Sequence, residues 1–115
     1  RDLQRKLRSQ GLPWEISKAF DNSAVTGTFM PLEQLGKVDN LSFHLDINGQ
    51  KVQEGNTGDM LFSVDKIVAY VSRFFTLKIG DLIYTGTPVG VGPVHIDDHL
   101  QGYIGQHKLL DFFVR

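Results

Sequence analysis

Cysteine is absent from this chain, which removes disulfides, zinc–thiolate centres and thiol nucleophiles from consideration. A chain without cysteine fits a reducing compartment, so a cytoplasmic location is expected. Long apolar runs are missing as well. None approaches the ~20 residues that span a bilayer, and the first residues carry no signal-peptide pattern, so no membrane partner is expected. Neither sign of charge is in excess: 12 Lys and Arg stand against 13 Asp and Glu. A nucleic-acid partner, which calls for a basic face, is therefore not expected. The basic residues that do gather (Arg1, Arg5, Lys6 and Arg8) read as one solvated end of a helix. No methionine opens the chain, and it enters a helical pattern at once, so its beginning looks cut. Its 115 residues are the size of one small domain.

What is present points to a β-rich α+β unit with two helices. The stretch from Asp2 to Gln10 is rich in helix formers, carries Leu3 and Leu7 at i,i+4, and is stopped by Gly11 and Pro13. Asp21 to Pro31 has the composition of a loop lined with hydrogen-bonding groups. From Leu41 to Ile47 apolar and polar residues alternate, the pattern of a half-buried strand. Asn48-Gly49 follows and supplies the positive φ pair of a type I′ turn, with Gln50 to Gln53 as the returning strand. Ser63 to Phe75 reads as the stronger helix, with Ser63 as N-cap and Ile67, Tyr70, Val71 and Phe74 as its apolar stripe. Asp81 to Tyr84 is expected as a short strand, and Leu100–Ile104 and Lys108–Val114 as closing strands with Gly105 near their turn.

Four groups of residues could carry chemistry. Thr85-Gly86-Thr87-Pro88 leads into Gly90, Gly92 and Pro93. Loops of this composition commonly only turn. The functional reading is that backbone N–H groups and the Thr87 hydroxyl converge on an anion, since glycine admits close approach and successive N–H groups form an anion-binding concavity. Lys18 lies between the apolar Ile16 and Phe20; it is either a lysine snorkelling over apolar neighbours or a cation placed to stabilise a developing enolate. His95 and His99 bracket Asp97 and Asp98, but flanking Gly and Pro favour a solvated turn over a metal site. His44 and His107 read as ordinary exposed residues, and Glu54 and Asp59 as solvated loop carboxylates. No G-x-S-x-G nucleophile elbow is present.

The stretches RDLQRKLRSQGLPWEISKAFD and GNTGDMLFSVDKIVAYVSRFFTLKIGDLIYTGTPVGVGP resemble the fumarylacetoacetate hydrolase superfamily. The resemblance is strongest to its small members acting on acylpyruvates or oxaloacetate. RD-x-Q, GLPW with K-x-F-D after it, and GD-x-I-x-TGTP-x-GVGP stand in the right order, covering Arg1 to Pro93 and weakening afterwards. The resemblance implies a mixed β-roll, a homodimer, and a Mg2+ or Mn2+ ion held by three carboxylates. Residues 1–115 would then be the C-terminal part of one catalytic domain whose N-terminal part carries all three. No metal ligand is assigned here; Asp2 belongs to the RD pair.

On that resemblance Lys18 and Thr87 are the expected catalytic residues. Arg1, Gln4, Lys18, Thr85, Gly86 and Thr87 are the expected substrate-binding set, with Asp21 and Asn22 bordering the metal. The implied reaction is hydrolytic C–C cleavage of a short 2,4-dioxo acid through an enolate. The alternatives are decarboxylation of oxaloacetate, tautomerisation of a 2-oxo acid, and an inactive fragment or binding module.

Overall fold

The computed structural model describes residues 1–115. Two helices of eight residues, α1 (Asp2–Ser9) and α3 (Val64–Val71), match the two predicted, and a single-turn helix α2 (Leu32–Leu35) is added to them. Strands β1 (Ser42–Ile47), β2 (Gln50–Asn56), β3 (His99–Ile104) and β4 (His107–Phe113) form one sheet in the order β2-β1-β3-β4. Every pairing is antiparallel. No helix is long and apolar enough to cross a membrane.

The β1–β2 turn is the one its sequence dictates. Asn48 and Gly49 take φ of 53° and 75°, the double positive φ that matches the twist of two adjoining strands. Asn48 also ties the hairpin to β3: its side chain donates to Asp98 (2.8 Å) and accepts from the His99 N–H (2.9 Å). Asp98 in turn accepts from the His95 N–H at 2.7 Å. The run from His95 to His99 is therefore a turn that enters β3, as expected, and its two imidazoles meet different carboxylates, Asp98 and Asp111.

Both edge strands carry a bulge. On β2, Leu45 faces Gln53 and Asp46 faces Lys51, so Val52 is the extra residue; on β4, Gly102 faces Leu110 and Tyr103 faces Lys108, so Leu109 is extra. A bulge shifts every later side chain to the opposite face. With both in place, Phe43, Leu45, Ile47, Leu100, Ile104, Leu110 and Phe112 share one face, and His44, Asp46, Gln101, Tyr103 and Asp111 the other. Leu100, only 8% exposed, is the centre of the apolar face. On the polar face His44 stacks on Tyr103 at 4.5 Å, so it is half-buried rather than the exposed residue its pattern suggested.

Three expectations are corrected. Asp81–Tyr84 is extended but unpaired. A strand exists through a neighbour's N–H and C=O groups, and no strand of this chain lies beside it. The second predicted helix stops at Val71 because the following N–H groups of Arg73 and Phe74 bond three residues back, and Ser72 Oγ turns onto the Ala69 carbonyl at 3.0 Å. Of its expected stripe, Ile67 and Val71 are half-buried while Tyr70 and Phe74 stay open, packed on each other at 5.3 Å beside Arg73. Ser63 does cap α3, its hydroxyl accepting from the Lys66 N–H at 3.4 Å.

On β4, Asp111 accepts from Lys108, lies 2.6 Å from His99 Nε2, and accepts from Gln101 at 3.2 Å. These donors, Lys108 first, hold its carboxyl well below the usual carboxylate range, and Asp111 raises the Lys108 ammonium. A carboxyl depressed on folding stabilises above its unfolded value near ~3.9 and loses that contribution as pH falls through its folded value. Asp111→Asn is therefore expected to destabilise the chain at neutral pH, with the gap to the parent closing below about pH 4. Urea unfolding followed from pH 7 to pH 2 checks this; a gap independent of pH would refute it.

Candidate active site

The Thr85–Pro93 loop has no regular structure of its own. It is seated on β2, across the bulge, by three kinds of contact. The Gln53 amide nitrogen reaches Thr87 Oγ1 at 3.1 Å, the Pro88 carbonyl at 3.2 Å and the Val89 carbonyl at 3.3 Å. Gly90 (φ 101°) lies so close to the bulge that a Cβ there would stand 2.5 Å from the Val52 carbonyl oxygen. Gly55 leaves room for the Phe43 ring and Pro88, which a Cβ would meet at 2.8 and 3.3 Å. Gly86 is also left-handed (φ 105°), but open space surrounds it, so there the glycine serves the turn alone.

A cavity of about 580 Å3 opens beside this loop. Thr85, Gly86 and Thr87 line it together with Phe43, Phe62 and Ile67. Glu54 and Asp59 border it too. Glu54 belongs to β2 rather than to a loop, and it pairs with Lys51 at 3.1 Å. The size suits a small-molecule ligand.

The other predicted residues lie elsewhere. Lys18 follows a one-turn 3-10 helix, Glu15–Ser17, and lines a shallow depression with Leu12, Pro13, Trp14 and Glu15. In this chain that depression and the loop cavity have no residue in common. Arg1 stands exposed at the head of α1, and Gln4 is half-buried one turn on. Asp21 and Asn22 form the tip of a turn from Phe20 to Ser23, closed by an N–H···O bond of 2.9 Å with Asn22 at φ 64°. No three His, Asp or Glu side chains converge to hold a metal ion. The residues present therefore do not form the divalent-metal site that the resemblance implies.

The match to the family model for the C-terminal region of fumarylacetoacetate (FAA) hydrolase runs over residues 1–110. The chain is 44% identical over 110 residues to oxaloacetate tautomerase YcgM of Escherichia coli, covering 95% of this chain and 50% of that protein. This chain belongs to the fumarylacetoacetate hydrolase family. The mitochondrial oxaloacetate tautomerase of Bos taurus is likewise 44% identical, over 96% of this chain and 49% of its own length. Among family structures, the fumarylpyruvate hydrolase of Pseudomonas aeruginosa, solved in complex with Mn2+ and pyruvate, superposes with a TM-score of 0.83. It is 43% identical and covers 95% of this chain and 47% of that one. The chain thus spans about half the length of these relatives, and its α+β fold is the family's.

Sequence reading missed Gln53. The alternation of β1 carried across a regular two-residue hairpin would put Val52 opposite Leu45 and turn Gln53 to the polar face; the bulge reverses this. Gly90→Ala is expected to cost about 2 kcal/mol, combining a left-handed φ with overpacking against the Val52 carbonyl. Gly86→Ala, strained but unobstructed, should cost about half as much. Thermal unfolding with hydrogen exchange over residues 85–93 checks the order; equal losses would mean that the approach to Val52 is not tight.

Proposed function

We propose that the complete polypeptide carrying this chain is a divalent-metal-dependent enzyme that interconverts the keto and enol forms of a short 2-oxo acid, oxaloacetate foremost. The observation that carries the reading is the 44% identity to an oxaloacetate tautomerase across 95% of this chain, with Lys18 and the Thr85–Thr87 loop present in it. In tautomerisation a proton leaves C3 and another is delivered to the 2-oxo oxygen, so negative charge develops on that oxygen. A fixed cation lowers the energy of that charge, and Lys18 supplies one. The Thr87 hydroxyl and the backbone N–H groups beside it bind the substrate carboxylate, while Arg1 and Gln4 complete the substrate-binding set. The ion, Mg2+ or Mn2+, would be held by residues outside this chain and would supply Lewis-acid chemistry.

Hydrolytic C–C cleavage of an acylpyruvate is the second reading. It is favoured by the 43% identity to a fumarylpyruvate hydrolase, and it uses the same enolate-stabilising residues. Enol absorbance of oxaloacetate, recorded beside acylpyruvate consumption, separates the two. Faster keto–enol exchange with intact acylpyruvate is the expected result; the reverse would favour the hydrolase. Chelation should abolish turnover and Mg2+ or Mn2+ restore it. Lys18→Ala is expected to lower kcat about a hundredfold, the scale of one lost oxyanion donor; unchanged kcat would remove Lys18 from the mechanism.

A further inference from the structure

Gln53 touches Thr87, Pro88 and Val89 through one and the same nitrogen, and the chemistry of those partners fixes what that nitrogen does. The Pro88 and Val89 carbonyls can only accept a hydrogen bond, so the Gln53 atom facing them is the donating NH2 and not the amide oxygen. An NH2 group has two hydrogens and no acceptor capacity to offer Thr87. With two hydrogens facing three oxygens, one is shared; the Thr87 hydroxyl can only accept from Gln53, and its own hydrogen is left free. No group of this chain accepts that hydrogen. Accepting from Gln53 occupies one of the hydroxyl's two lone pairs and leaves its hydrogen available to donate.

We propose that Gln53 is a positioning residue that leaves the Thr87 hydrogen free to donate, so that this end of the cavity favours an oxygen acceptor such as a carboxylate or oxo group. Gln53 touches no substrate in this scheme. It acts through Thr87, and the proposal rests on the reading that Thr87 faces the substrate. Gln53 reaches this role because the Val52 bulge brings it opposite Leu45 on the apolar side of β2, where an amide needs hydrogen-bond partners to be accommodated. The loop carbonyls and the Thr87 hydroxyl are those partners, so the contact that seats the loop also orients its hydroxyl.

The test uses the complete polypeptide with Mg2+ and oxaloacetate, and four variants: Gln53→Met, Gln53→Glu, Thr87→Val, and Gln53→Met with Thr87→Val. Gln53→Met keeps the side-chain length and removes the donor. Gln53→Glu reverses the polarity and offers Thr87 an acceptor to donate to. We expect KM to rise about tenfold in Thr87→Val, the scale of a hydrogen bond to a charged group. A rise of several-fold is expected in Gln53→Met and a larger one in Gln53→Glu, with kcat changed far less than KM. In the Thr87→Val background, adding Gln53→Met should cost nothing further, because the hydroxyl it orients is gone.

A merely structural seat for the loop would give the opposite pattern: Gln53→Met would raise KM equally with and without Thr87→Val, and melting temperatures would track the losses. That result overturns the proposal. Wild-type KM in both Gln53 variants, with Thr87→Val impaired, also overturns it while leaving the proposed function standing. An unimpaired Thr87→Val would remove Thr87 from the substrate and take the proposal with it. If the parent protein does not turn over oxaloacetate, the same variants are read by calorimetric binding of pyruvate with Mg2+. There, equal affinity in the parent and Gln53→Glu would overturn the proposal independently of the reaction.

Discussion

The loop from Thr85 to Pro93 has neither strand nor helix to hold it, and its position depends on the bulge at Val52 and the Gln53 amide that the bulge turns inward. A glycine-rich segment loses much conformational entropy on ordering, and Gly86, Gly90 and Gly92 all lie within it. The compensation comes from outside the loop: one amide shared among three oxygens, a glycine closed onto a strand carbonyl, and a proline beside the gap at Gly55. Removing the bulge would carry Gln53 to the other face of the sheet, and all three contacts would go with it.

The far edge of the sheet is built by the same rule. The bulge at Leu109 exposes a carbonyl that accepts from the Thr28 N–H at 2.7 Å, and Gly27 is packed so closely that a Cβ would stand 1.9 Å from it. Each edge strand is thus interrupted once, and each interruption receives a loop through a glycine. An uninterrupted edge would offer a row of free N–H and C=O groups to another chain. The interior behind these edges is thin. Only Leu7, on α1, and Leu100, on β3, are buried, while Leu61, Phe62 and Ile79 lie open.

Lys18 and Thr87 would bring different physics to the proposed reaction. A lysine ammonium is a point charge whose effect does not depend on fine orientation. A hydroxyl contributes through direction, because it donates or accepts according to what else it touches. That difference matches their surroundings: Lys18 stands exposed after a short turn, whereas Thr87 is held from behind by Gln53. Lys18 needs a place, Thr87 an orientation. No three His, Asp or Glu side chains of this chain converge to hold a metal ion.

Local chemistry made much of the chain legible from its residues. Asn48-Gly49 could hardly form any turn but one with two positive φ values, Ser63 is a preferred helix cap, and the period-two pattern of β1 gave its inner face before any partner was known. The family motifs likewise carried Lys18 and Thr87, since they are runs of residues in order. Pairing was not legible in this way. Leu82, Ile83 and Tyr84 have strand composition but no strand beside them, and Tyr70 and Phe74 keep helical spacing yet face outward. The register of β2 and β4 is the clearest case. Nothing in Gln50–Asn56 marks Val52 as the residue to be skipped, because a bulge is settled by what both faces and the incoming loop can accommodate together. A turn or a cap is decided by neighbours along the chain and so belongs to the sequence. Which face receives Gln53 is decided by residues more than thirty positions away, and the tertiary structure alone determined it.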